Sequence, residues 1–129
     1  MKRIDPVINK FLSGRKEIVK LRFVENRKFF DCLIPSDCIW SVVKEILLIE
    51  EYEWLPEFEL HNFKGKNIVD AGAHAGLFSI KASPYAGKIL AIEPDLTNYF
   101  LLKLNIRRNR IANIIPINAA LWHKKCTLF

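Results

Sequence analysis

The sequence predicts an α/β fold: a βαβαβ half of a doubly wound fold with a parallel sheet, preceded by an antiparallel β-hairpin and a helix. Three observations predict it. Three short apolar runs, Asn67 to Ala71, Lys88 to Ile92 and Ile114 to Asn118, have little polar alternation, as strands covered on both faces require. Helical stretches fill both gaps between these runs, so the strands should lie parallel. The N-terminal region instead alternates apolar and polar residues, the pattern of half-buried antiparallel strands. At 129 residues the chain can bury roughly two-thirds of its unfolded surface, enough for one core.

Val19, Leu21 and Phe23 alternate with Lys20 and Arg22, Glu25-Asn26-Arg27-Lys28 supplies a turn, and Phe29 to Ile34 forms the return strand. Pro35-Ser36-Asp37 marks a helix start with Ser36 or Asp37 as N-cap, and Ile39, Val42, Val43, Ile46 and Leu47 share one face to bury. Pro56 separates the acidic, aromatic segment Glu50 to Leu55 from the residues beyond it. The turn Asn62 to Lys66 opens the α/β part, 62–129, after an N-terminal extension, 1–61. A short helix starts near Ala75 and stops at Ser83-Pro84. A longer one is capped near Asp95 or Thr97, is apolar at Leu96, Tyr99, Phe100, Leu101, Leu102 and Leu104, and closes with Arg107, Arg108 and Arg110, where the dipole favours cations. The aromatic residues Tyr52, Trp54, Phe58 and Phe63 read as core packing under the sheet, with a partner-binding patch as the other reading.

Composition excludes several classes. With 50% hydrophobic and 26% charged residues, disorder, collagen and low-complexity readings fall away. Twenty Lys and Arg against 14 Asp and Glu leave a net charge of +6, spread over Lys2 to Lys28 and Arg107 to Lys125 as solvated faces rather than as a nucleic-acid stripe. Cys32, Cys38 and Cys126 are odd in number and form no pair at zinc-ligand spacing, so no disulfide framework and no metal site are expected, and a reducing, cytoplasmic setting suits them. The apolar runs are far too short to span a bilayer, and the N-terminus lacks an apolar signal core, so no membrane partner is expected.

The chemistry concentrates at the ends of the three apolar runs. In Asp70-Ala71-Gly72-Ala73-His74-Ala75-Gly76, glycines and small residues clear space for a ligand to press on backbone at the crevice above the strand ends. The spacing is GxxxG, not the GxGxxG of a dinucleotide pyrophosphate turn, which disfavours nicotinamide cofactors. Glu93 ends the next strand, followed by Pro94, and a carboxylate there can accept both vicinal hydroxyls of a ribose. An adenosyl group is implied. After the third strand, Asn118-Ala119-Ala120 leaves room for a flat ring, with the Asn118 amide at its edge. Singly, each piece is an ordinary turn or loop residue; their placement at three successive strand ends is what points to a ligand.

On these residues, VDAGAHAGLFS, AIEPDLTNYFLLKLNIRRN and PINAALW, the span 67–122 resembles the N-terminal half of an FkbM-type methyltransferase, a branch of the class I, Rossmann-like S-adenosylmethionine-dependent enzymes. The resemblance implies that Asp70, Gly72, Ala73 and Gly76 line the methionine part of S-adenosylmethionine, with His74 in the same turn where the family usually has Asn. It further implies that Glu93, beside Pro94, holds the ribose and that Asn118 and Ala119 lie by the adenine. Glu51-Tyr52-Glu53 is similar to an element that precedes the glycine motif in the family, which makes Tyr52 a candidate for closing over the cofactor. In the family more strands come after Cys126 to Phe129, including the neighbour of the first strand. The expectations are therefore a fragment of a longer enzyme, a domain completed by a second chain or self-association, or a non-catalytic adenosyl-binding module.

The reaction so implied is methyl transfer to an oxygen of a sugar or other small molecule, with no general base assigned; His61, His74 and His123 each read as lone. The alternative acceptor is RNA, through Arg107, Arg108, Arg110, Lys124 and Lys125.

Overall fold

Asn26 and Arg27 both adopt positive φ, 46° and 61°, and so form the two-residue turn whose hand matches the twist of paired strands. They join β1 (Ile18–Glu25) to β2 (Lys28–Pro35) in an antiparallel register from Ile18 opposite Pro35 to Glu25 opposite Lys28. The structure, a computed structural model, describes residues 17–48, 50 and 53–122. Cys32 and Ile34 of β2 are fully buried, and the Phe30 ring stacks on Phe23 at 5.4 Å.

The helix after the hairpin departs from expectation at both ends. α1 (Ile39–Val43) has Cys38 as its N-cap, with no side-chain capping bond, so neither Ser36 nor Asp37 caps it. Residues Lys44–Leu48 continue it as a π-helical turn. Val42, Ile46 and Leu47 pack half-buried against the core; the helix buries no residue completely. Short 3-10 turns, Pro56–Phe58 and Leu60–Phe63, come next. Leu60 is buried there, but Trp54 and Phe58 are exposed, so the aromatic segment is not packed under the sheet as a block.

β3 (Ile68–Ala71), α2 (Leu77–Ala82), β4 (Ile89–Ile92), α3 (Leu96–Arg108) and β5 (Ile114–Ile117) form the expected βαβαβ unit. The three strands are parallel in the order β3-β4-β5. Their register aligns Ile68, Ile89 and Ile114 in one row and Val69, Leu90 and Ile115 in the next. The first row faces the core. The second faces outward, with Val69 61% and Ile115 47% exposed, so among the described residues β3 and β5 are covered on one face only, unlike the two-sided cover read from the sequence. Periodicity cannot separate the cases, because the open face is also apolar.

One hydrophobic cluster runs from Phe30, Cys32 and Ile34 of the hairpin through Leu77 and Ile80 of α2 and Leu101 and Leu102 of α3 to Ile89 and Ile114. Two amides lock the hairpin to it. Asn105, completely buried on α3, accepts from the Leu33 N–H at 2.7 Å and donates to the Leu33 carbonyl at 2.9 Å. One turn on, Asn109 repeats this with the N–H and carbonyl of Asp31, at 2.8 and 2.9 Å. The i, i+4 spacing on the helix matches the i, i+2 spacing of outward-pointing backbone groups on β2, so the two side chains stand in for a third strand. Leaving those groups unpaired in the core would cost about 1–3 kcal/mol each.

Candidate functional site

The loop from β3 to α2 is shaped by three consecutive alternations of conformation. Gly72 has φ +82°, His74 φ +53° and Gly76 φ +88°. The two glycines are needed for different reasons. A Cβ on Gly76 would lie 2.4 Å from Leu102 Cδ1, so the turn packs directly on α3. A Cβ on Gly72 would meet nothing within 4 Å, so the space above that residue is open to a ligand. The Gly72 and Ala73 N–H groups both donate to the Ile92 carbonyl, at 2.8 and 2.9 Å. In a phosphate-binding turn such N–H groups point at the anion; here they are engaged by the neighbouring strand. The turn offers clearance rather than an anion cradle.

Glu93 sits at the end of β4, buried. Its Oε2 accepts from the His74 N–H at 2.7 Å and its Oε1 from the Asp95 N–H at 2.8 Å. These bonds fix the carboxylate plane while each oxygen keeps a further lone pair. A fixed carboxylate with acceptor capacity at a strand end is what a ribose diol requires. Asp70, under the turn, accepts from Ser79 Oγ at 2.6 Å. Burial pushes its carboxyl above the usual range, the Ser79 bonds oppose this, and the Glu93 charge adds to it.

Asn118 comes directly after β5. Its amide NH2 donates to the carbonyls of Glu93 and Pro94, at 2.8 and 3.1 Å, which ties the third strand end to the second. The donor half of the amide therefore serves the chain itself, and only Oδ1 remains to meet a ring edge as an acceptor. Ala119 and Ala120 beside it are exposed. The turn from Asp70 through Gly72, Ala73 and His74 to Gly76 meets Glu93 through the His74 N–H. Asn118 meets Glu93 and Pro94, with Ala119 next in the chain, so the three strand ends gather at one end of the sheet. Tyr52 lies outside the described residues.

Sequence reasoning missed three residues and one contact. Ser79 holds Asp70 and was signalled only by its place in the first turn of α2. Asn105 donates to the Ala75 carbonyl at 2.8 Å, so the amide that docks the hairpin also steadies the glycine turn. Lys81, 3% exposed, pairs with Glu50 at 3.0 Å and with Glu53, fastening the segment around them to α2. Burial alone would lower its pKa, but the two carboxylates outweigh it and the net shift is upward. Last, His74 is not lone: its Nε2 lies 3.4 Å from Cys38 Sγ. His61 pairs with Glu59 at 3.2 Å, and His123 lies outside the described residues.

Among the described residues there is no cluster of three or more His, Cys, Asp or Glu able to hold a metal. No helix among them is long and apolar enough to cross a membrane.

No family model and no curated protein matches this chain. Solved structures do. The 16S rRNA N2 G1207 methyltransferase RsmC of T. thermophilus, solved in complex with AdoMet and guanosine, superposes with a TM-score of 0.53 at 11% identity, over 79% of this chain and 28% of that one. The M. jannaschii tRNA m1G37 methyltransferase gives 0.52 at 24% identity, over 81% of this chain and 31% of that one. The putative methyltransferase yhhF of Escherichia coli gives 0.52 at 15% identity, over 79% and 53%. The chain therefore has the Rossmann-like fold of class I methyltransferases and spans about a quarter to a half of the solved chains it resembles.

Proposed function

We propose that this chain carries the adenosyl-binding half of a class I methyltransferase, with S-adenosylmethionine as cofactor. The observation that carries this reading is the fixed Glu93 carboxylate beside the open Gly72 turn. Glu93 would hold the ribose hydroxyls, the Asp70 to Gly76 turn would line the methionine part, and Asn118 Oδ1 with Ala119 would face the adenine. The engaged N–H groups of Gly72 and Ala73 favour a ligand without phosphate there, and so favour S-adenosylmethionine over a dinucleotide. Residues 62–129 form this part and 1–61 an extension that supports it; Tyr52 in that extension is proposed to close over the cofactor.

When bound, S-adenosylmethionine supplies a sulfonium methyl open to in-line displacement. The protein's share is to orient the two reactants and exclude water.

Two acceptors are supported by different observations. The motif resemblance favours an oxygen of a sugar or other small molecule. Arg107, Arg108 and Arg110, all exposed or half-exposed at the end of α3, and the rRNA and tRNA substrates of the similar enzymes favour RNA at least as well. Salt-dependent retardation of RNA by the chain, weakened in an Arg107→Ala/Arg108→Ala variant, selects RNA; no retardation at low salt selects the small-molecule reading. A cytoplasmic setting accords with either.

A further inference from the structure

The Cys38 and His74 side chains meet across two segments that are far apart in sequence, the entry to α1 and the glycine turn. We propose that Cys38 is a reactive thiol activated by the His74 imidazole, and that the pair is a site of thiol–disulfide exchange with small soluble disulfides. Cys38 is half-buried, with Sγ 3.4 Å from His74 Nε2 and 3.2 Å from the Pro35 carbonyl oxygen. Its single proton has two acceptors within reach, the Pro35 carbonyl and, in the tautomer that leaves Nε2 bare, the imidazole.

Two further features single out His74. Its φ of +53° lies in the left-handed region, uncommon for residues other than glycine although His and Asn enter it more often than most. Its Nδ1 is buried with no hydrogen-bond partner among the described residues, so no second group pins the ring tautomer. Nε2 can therefore act as acceptor or donor toward the sulfur. Burial lowers the pKa of the ring, and the charges of Glu93, Asp37 and Asp95 oppose that shift without cancelling it. Cys32 is the internal contrast: it is fully buried, and burial pushes its thiol up to about 12.

In the exchange, the proton of Cys38 passes to His74 Nε2 and Sγ attacks one sulfur of R–S–S–R. The S–S bond breaks, an Sγ–S–R bond forms, and the departing R–S⁻ takes the proton from His74 to leave as R–SH. The disulfide consumed is the only oxidant. The adduct lies against the turn whose His74 N–H holds Glu93. That it hinders adenosyl binding rests on the function proposed above; the thiol chemistry does not.

The test is to treat the native 129-residue chain with oxidised glutathione and locate the adduct by peptide mass spectrometry. The expected result is rapid modification at Cys38 and none at Cys32 while the chain is folded. Cys38→Ser removes that adduct. His74→Asn, an exchange that suits positive φ, slows the Cys38 reaction about tenfold near neutral pH and restores it as pH rises toward the ordinary thiol range near about 8.5. Equal Cys38 rates in the two chains near neutral pH would overturn the proposal. So would a pH profile of the unsubstituted chain that tracks an ordinary thiol, a readout that stands even if the variant does not fold. Titration of the adduct and of the unmodified chain with S-adenosylmethionine then reads the coupling separately.

Discussion

The two faces of the sheet are both apolar and have opposite fates. On one, Ile68, Ile89 and Ile114 lie under α2, α3 and the hairpin; on the other, Val69, Ile115 and Ile117 face outward, the last 39% exposed. The difference lies in what the rest of the chain can bring. Both crossover helices and the hairpin sit with the covered face, and α3 reaches β2 through Asn105 and Asn109 as well as through Leu101 and Leu102. The two crossovers run in one direction along β3-β4-β5 and so place both helices on one face. Polar pairing between α3 and β2 adds the hairpin there, and the same Asn105 amide supports the turn by bonding Ala75.

The sharpest test of this contrast is a matched pair of truncations in paired strands. Ile89→Ala removes a completely buried side chain and should cost about 4 kcal/mol, whereas Ile115→Ala on the open face should cost under about 1 kcal/mol. Urea unfolding of both variants reads the difference, and equal losses would mean that the second face is covered in solution. Next in size is Asn105→Leu, which leaves the Leu33 N–H and carbonyl and the Ala75 carbonyl without their partner, at about 3 kcal/mol. A loss below about 1 kcal/mol would remove the amide from its central place.

The two glycines of the turn should separate by cause. Gly76→Ala meets Leu102 as well as an unfavourable φ and should cost about 2 kcal/mol, while Gly72→Ala meets only the φ and should cost about 1 kcal/mol. Ligand binding should reverse that order, because the open space lies over Gly72. Smallest is the effect of Asp70→Asn. The folded-state pKa of Asp70 is raised, so its share of stability is complete below the unfolded carboxyl pKa of about 3.9 and lost as pH rises through the folded value. The Asn variant should therefore melt higher than the parent at neutral pH and match it in acid, as differential scanning calorimetry across pH would record. A parent that melts higher at neutral pH would contradict a burial-driven shift.

Much of the fold was legible in the sequence. The three apolar runs marked strands within a residue or two of their bounds, and Asp95 caps α3 as its position suggested, accepting from the Asn98 N–H at 2.9 Å. Gly72 and Gly76 were legible as the turn after β3, where both take positive φ, and Glu93 as the carboxylate directly after β4. The illegible part is pairing across distance. Asn105 and Asn109 look like ordinary polar helix residues until β2 lies beside them, and Cys38 meets His74 only through the path of the chain between the hairpin and β3. The α1 cap failed for a related reason, since tertiary packing set the helix start one residue beyond the best capping side chains.

The measurement that tests the central claim most directly is calorimetric titration of the folded 129-residue chain with S-adenosylmethionine, with NAD as the control ligand and Glu93→Gln as the control variant. The account predicts saturable binding of S-adenosylmethionine alone, weakened about tenfold or more in Glu93→Gln by loss of a charged acceptor. No binding to a chain shown to be folded by circular dichroism, or equal binding of NAD, would contradict it.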